Sequence, residues 1–70
     1  MATKNNIDVY IATDWYRTMV FLAEPRLIEN DGRKEWSGIR IHDFERLIPK
    51  GFKQRRNTCV KAHVTLEIEE

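Results

Sequence analysis

Cysteine is nearly absent from this chain: Cys59 is the only one, so no disulfide can form within it. Histidine is almost as scarce. His42 and His63 join Cys59 in neither a CxxC nor an HxxxH spacing, so no zinc set is recognisable, and no metal or cofactor is expected. The three glycines, Gly32, Gly38 and Gly51, fit neither a dinucleotide-binding fingerprint nor a phosphate loop. Ser37 is the only serine, which leaves the neighbours His42 and Asp43 without a nucleophile to complete a triad. Long apolar runs are missing too. The longest, Met19 to Ala23, is far short of a bilayer span, and no membrane partner is expected. The first residues, MATKNNID, lack the apolar stretch of a secretory signal. An unpaired thiol fits a reducing compartment, so the expected location is the cytoplasm.

One nucleophile-and-base pair is left to weigh. Cys59 and His63 fall on one face of an extended segment, but four residues of strand separate them by roughly 13 Å. A working pair needs about 3 Å. The expectation is a half-exposed thiol and a surface imidazole. The carboxylates Asp8, Glu29, Asp31 and Glu35 are scattered beside Lys and Arg, and they read as solubilising charges that protect strand edges. Nothing here assembles a catalyst, and the chain is not expected to be an enzyme.

Size raises a different problem. Seventy residues make a single small domain, 1–70. A chain this short buries only about 60% of the surface that its unfolded form exposes. Its core alone supplies a few kcal/mol. Small domains usually add a disulfide, a metal or a partner chain. With the first excluded and the second unsupported, a homo-oligomer is the expectation by elimination.

What the chain does have is patterning. Ile7, Val9 and Ile11 alternate with Asp8, Tyr10 and Ala12, as in a half-buried strand. Residues 16–23, YRTMVFLA, are aromatic and β-branched and read as a second strand, with a helix from Asp14 to Ala23, capped by Asp14, as the competing assignment. Pro25 marks a strand end or an edge. Asn30-Asp31-Gly32 is the strongest turn signal and predicts a hairpin with arms 26–29 and 33–37, ended or bulged at Gly38. In HDFERLIP, Asp43 is placed to cap a short helical segment that Pro49 stops. The last element is the clearest. Val60, Ala62, Val64, Leu66 and Ile68 share one face of a strand, and Cys59, Lys61, His63, Thr65 and Glu67 share the other. The first set is expected to be buried. The fold class is therefore α+β: a small antiparallel sheet of four or five strands, open or closed into a barrel-like form, with one short helix between the hairpin and the last strand.

Charge is segregated along the chain although the net is only +1. Residues 1–35 hold five basic and six acidic side chains, and residues 40–61 hold seven basic and two acidic. Glu67, Glu69 and Glu70 then form an acidic tail. Within the basic part, Lys50, Lys53, Arg55 and Arg56 surround Phe52, and Lys61 can extend the patch along the last strand. Cations with an interleaved ring can hold phosphates and stack on a base. Against this, the pI of 7.9 is below the value of about 9 typical of a nucleic-acid footprint. Short charge runs are also commonly just solvated. The second candidate surface is aromatic: Trp15, Tyr16 and Trp36 lie at or near turns, where such rings serve either the core or a protein interface. The leading expectation is a small binding or regulatory accessory protein that acts through protein–protein contacts, itself included. The alternative is a nucleic-acid binder that uses the basic 50–56 loop.

Overall fold

The computed structural model describes residues 2–69; Met1 and Glu70, the last residue of the acidic tail, lie outside them. Five strands and one short helix follow in order: β1 (Ala2–Thr13), β2 (Thr18–Phe21), β3 (Arg26–Asn30), β4 (Arg33–Ser37), α1 (His42–Glu45) and β5 (Thr58–Glu69). They form two antiparallel sheets, a three-stranded one in the order β2-β1-β5 and the β3-β4 hairpin. The α+β class with a short helix before the last strand holds. The barrel-like alternative does not, because the sheet is split in two and does not close.

The central feature is a ribbon in which β1 and β5 pair along all twelve residues. The register follows from the two alternations. Ile7 lies opposite Val64, Val9 opposite Ala62 and Ile11 opposite Val60, so the apolar residues share a face. Lys4 opposite Glu67, Asp8 opposite His63 and Tyr10 opposite Lys61 fall on the other face. Lys61 also reaches Asp8 at 3.6 Å on this polar face, an exposed pair of little energetic weight.

The strand β2 pairs with only the last four residues of β1. It is shorter than the predicted 16–23 because Asp14 holds the chain in a tight turn. Its Oδ1 accepts the backbone N–H of Tyr16 at 2.7 Å and of Arg17 at 2.8 Å. The competing helix over 14–23 is not formed; Asp14 caps a turn instead. On its outer side β2 is covered by residues 39–41, through Leu22 N–H to Ile39 O and Ile41 N–H to Val20 O, both 2.8 Å.

The sheet is covered on both faces only at this end. On one face the hairpin lays Trp36 against Ala12, Met19 and Phe21, with Tyr10 and Cys59 beside them. The Trp36 indole N–H donates to Thr13 O at 3.0 Å, which satisfies its one polar atom. The hairpin turns at Asp31 and Gly32, where φ is +53° and +75°, as a two-residue type I′ turn requires. Gly38 then follows β4 in close contact with Phe21 and Pro25, where a Cβ would fit only if these neighbours gave way by a few tenths of an ångström. On the opposite face Val9 and Val20 meet the α1 segment, with an open cleft of about 330 Å³ between Phe44, Leu47, Ile48 and the sheet. The predicted cap at Asp43 is replaced. Ile41 takes the N-cap position with no side-chain bond, and Asp43 instead faces Arg46 at 3.4 Å in solvent. The helical segment is tied down by Arg40, which donates to both Glu45 carboxylate oxygens at 2.6 to 3.1 Å.

Beyond this covered end, β1 and β5 run on as a bare two-stranded ribbon, and the molecule measures 51 × 24 × 16 Å. The five apolar residues of β5 are not buried as the alternation implies. Val60 and Ile68 are 44% and 45% exposed, and Ala62, Val64 and Leu66 are half-buried. The physical reason is coverage: α1 is too short to reach along the ribbon, and nothing else among the described residues lies over its apolar face.

Candidate functional site

Two surfaces gather the residues singled out in the sequence. The first lies beside the hairpin turn. Trp15 and Tyr16 sit in the Asp14 turn, 38% and 70% exposed, with ring centroids 5.3 Å apart and planes inclined by 46°. Arg33, the first residue of β4, places its guanidinium 4.3 Å from the Trp15 ring centroid. Arg17 lies 5.7 Å over the Tyr16 ring. Cations over ring faces at these distances are attracted by the ring quadrupole. A cleft of about 430 Å³ opens next to them, walled by Trp15, Gly32, Arg33, Lys34, Arg56 and Asn57.

The loop that carries Arg56 is held to the end of β1. Asn57 N–H donates to Thr13 O at 2.6 Å, and the Gln54 amide donates to Ile11 O at 3.0 Å and Thr58 O at 2.9 Å. Asn57 adopts φ +63°, a left-handed conformation that Asn tolerates well. The same turn leaves the Asn57 side-chain oxygen buried with no hydrogen-bond partner.

Of the predicted basic patch, only Arg56 reaches this cleft. Lys50, Lys53 and Arg55 are exposed elsewhere on the 49–57 loop, Phe52 is 39% exposed, and Lys61 points to Asp8 on the ribbon. Trp36 packs against the core cluster and is half-buried, and it lines a second pocket, of about 220 Å³, together with Trp15, Tyr16, Asp14, Arg17, Met19 and Glu35. Arg17, Arg33 and Lys34 were not singled out in the sequence. The signal was thin, since Arg33 and Lys34 follow a hairpin turn, where cations are ordinary, and Arg33 lies 18 positions from its neighbour Trp15.

The second surface is the outer edge of β5, which is the end strand of its sheet and has no strand on its far side among the described residues. It is twelve residues long and contains neither Pro nor Gly. Cys59 and His63 lie on the same face of this strand, opposite Ala12 and Asp8 and four positions apart as expected, Cys59 at the covered end beside the core cluster and His63 exposed on the ribbon. Burial pushes the Cys59 thiol above its usual range, with the Glu24 carboxylate adding to the rise, so the thiolate is disfavoured. His42 approaches Glu45 rather than Asp43, with Nδ1 3.7 Å from Oε2. Among the described residues no group of three or more His, Cys, Asp or Glu side chains is arranged to hold a metal ion. No helix among them is long and apolar enough to cross a membrane. Compared with family models, with curated proteins and with solved structures, the chain matches none.

Proposed function

We propose that this chain is a non-catalytic binding protein that acts through protein–protein contacts, and that its working unit is a homodimer built on the β5 edge. The observation that carries the reading is the uncovered apolar face of an open edge strand. Natural sheets blunt such edges with Pro, bulges, charged side chains, inward-pointing charges or a covering element, because unpaired N–H and C=O groups template pairing with another chain. Among the described residues this edge has no Pro, bulge or covering element, its charges Lys61, Glu67 and Glu69 all lie on the polar face, and a two-stranded ribbon is marginal on its own.

A second copy is the occupant that the sequence of β5 fits. Antiparallel pairing about a two-fold axis at Val64 sets Val64 opposite itself, Ala62 opposite Leu66 and Val60 opposite Ile68 on one face. On the other face the same register sets Lys61 opposite Glu67, His63 opposite Thr65 and Cys59 opposite Glu69. Apolar residues meet apolar ones, and each Lys61 meets a carboxylate. Opposed charges and β-branched pairs in such positions contribute roughly 0.2–1 kcal/mol each, and the two-fold axis doubles every pair except the central one. The product is one continuous six-stranded sheet in which neither copy exposes its β5 edge. The two apolar ribbon faces merge into one surface.

Cysteine cross-linking tests the register. In a Cys59→Ser background, Val64→Cys places two thiols across the axis, where directly opposed Cα atoms lie roughly 4.5–5.5 Å apart, within disulfide reach. Mild oxidation is expected to give a disulfide dimer from Val64→Cys and none from Thr65→Cys. Equal cross-linking of both variants, or of neither, contradicts the register.

A further inference from the structure

The cation–aromatic cleft beside the hairpin turn supports a second activity, separate from the dimer edge. We infer that Trp15, Tyr16, Arg17, Arg33, Lys34 and Arg56 form a binding site for single-stranded nucleic acid. In this site the cations hold phosphates and the rings stack on bases.

Three features point to this ligand class. First, the charge in the cleft is unopposed. None of Arg17, Arg33, Lys34 and Arg56 forms an ion pair among the described residues, and no carboxylate lines the cleft at Arg33, Lys34 and Arg56; Asp14 and Glu35 line the adjoining pocket with Tyr16 and Arg17, where Asp14 Oδ1 already accepts two backbone N–H groups. The cations come from three separate segments, the β1–β2 turn, the start of β4 and the loop before β5, so the fold itself concentrates positive charge there. Phosphate oxygens are the natural counter-charge for such a cluster. Second, the aromatic rings stand in the same surface as the cations. Arg17, Tyr16, Trp15 and Arg33 follow one another as two adjoining rings with a cation at each end, with separations of 5.7, 5.3 and 4.3 Å. An anionic peptide would use the cations and leave both rings idle. A nucleotide strand uses both, because every base offers a π-face whatever its sequence. Third, the cleft has one unsatisfied acceptor. Asn57 lines the cleft, and its side-chain oxygen, buried just behind the wall, is without a partner, so a small shift of this side chain would offer a base amine or imide an acceptor.

Single strands fit better than a duplex. In a duplex the bases are stacked on each other and their faces are closed to Trp15 and Tyr16. The element shaped to enter a major groove is the β1–β5 ribbon. Its tip carries Glu67 and Glu69, which repel phosphates, and it lies away from the cleft. The size of the cleft, about 430 Å³, falls in the range of roughly 300–1,000 Å³ usual for small-ligand sites, so it holds about one nucleotide, with the strand continuing over Tyr16.

The test is fluorescence anisotropy with labelled twelve-residue oligothymidylate and oligouridylate, the matching duplex, a mononucleotide and polyglutamate, at low and moderate salt. Wild-type protein is expected to bind both single strands and to prefer them to the duplex and to polyglutamate. Binding should weaken with salt by roughly 0.7 logarithmic units per decade for each phosphate held. The double variant Arg33→Gln/Arg56→Gln should weaken binding by about tenfold or more and flatten that salt dependence in proportion to the phosphates no longer held. Trp15→Leu should weaken binding about tenfold at unchanged salt slope, the range for one stacked base. Lys53→Gln/Arg55→Gln, on the same loop but outside the cleft, should change binding less than the cleft pair does. Circular dichroism melts of each variant separate impaired binding from impaired folding, and Lys34→Gln provides a second cleft variant if Arg33→Gln/Arg56→Gln does not fold. No binding by the wild type, equal binding of polyglutamate, or a larger loss in Lys53→Gln/Arg55→Gln than in the cleft variants would each overturn the assignment.

Discussion

The two ends of the β1–β5 ribbon are built from the same two strands in one unbroken register, yet only one end is a core. Val9, Ala12, Met19, Val20 and Phe21, the buried apolar residues, all belong to the end that β2, the hairpin and α1 enclose. Toward the other end, Ile7, Val64 and Leu66 have the same alternation and the same kind of side chain, but they are half-buried, and Ile68 is exposed. Alternation determines which way a side chain points. Burial needs a second layer, and here the second layer runs out after about half of the ribbon.

Mutations that separate the two ends should differ most in the covered end. Phe21→Ala removes a ring that is 2% exposed and clustered with Ala12 and Met19, and it is expected to cost about 3–5 kcal/mol. For a domain of this size that amounts to unfolding, visible as a lost cooperative transition in urea. The equivalent truncation at the free end, Ile68→Ala, should shift the midpoint little in the monomer. Gly38→Ala should cost less. An added Cβ would lie 3.1 Å from Phe21 Cδ1 and 3.3 Å from Pro25 Cα; because the Phe21 ring is itself buried and the Pro25 contact is backbone, neither yields freely, and the variant is expected to lose about 1 kcal/mol by overpacking, read as a lower urea midpoint.

Val64→Asp sharpens the comparison at the middle of the ribbon. In a closed core an unpaired carboxylate would unfold the domain. At this half-covered site the side chain can reach water, so the expected cost is about 1–2 kcal/mol, with the fold kept. Across the two-fold axis the same change sets two carboxylates against each other, and the dimer should dissociate. Thr65→Asp, on the polar face beside Asn6, is expected to stay within about 0.5 kcal/mol in a thermal melt. The smallest effect concerns Cys59. Its raised pKa stabilises the folded state at pH values below the ordinary thiol value of 9.0, and that contribution declines as the pH rises through the folded-state value. Iodoacetamide should therefore label the native thiol slowly at pH 8 and faster after denaturation.

The difference between the ends also explains what was readable from sequence. Local signals were sound: the Asp31-Gly32 turn, the five alternations of β5 and the short helix before Pro49 each rest on residues close in the chain. Helix or strand at 14–23 was settled by Asp14, whose carboxylate can cap a turn as readily as a helix, so the sequence alone left both open. The Asp43 cap failed for a similar reason, since the chain enters α1 through the extended residues 39–41 that pair with β2. Coverage was illegible because it depends on the register of β1 against β5, strands some fifty residues apart, and on the reach of α1. The cleft was half legible. Arg56 and Trp15 were each singled out, in separate patches, and only the folded hairpin brings Arg33 and Lys34 between them.

The most direct measurement of the central claim, that the open β5 edge is closed by a second copy, is the mass in solution. Multi-angle light scattering from low to high micromolar concentration is expected to rise from the chain mass of 8.4 kDa to twice that value for the wild type, and to stay at 8.4 kDa for Val64→Asp. A wild-type mass of 8.4 kDa at every concentration would contradict it.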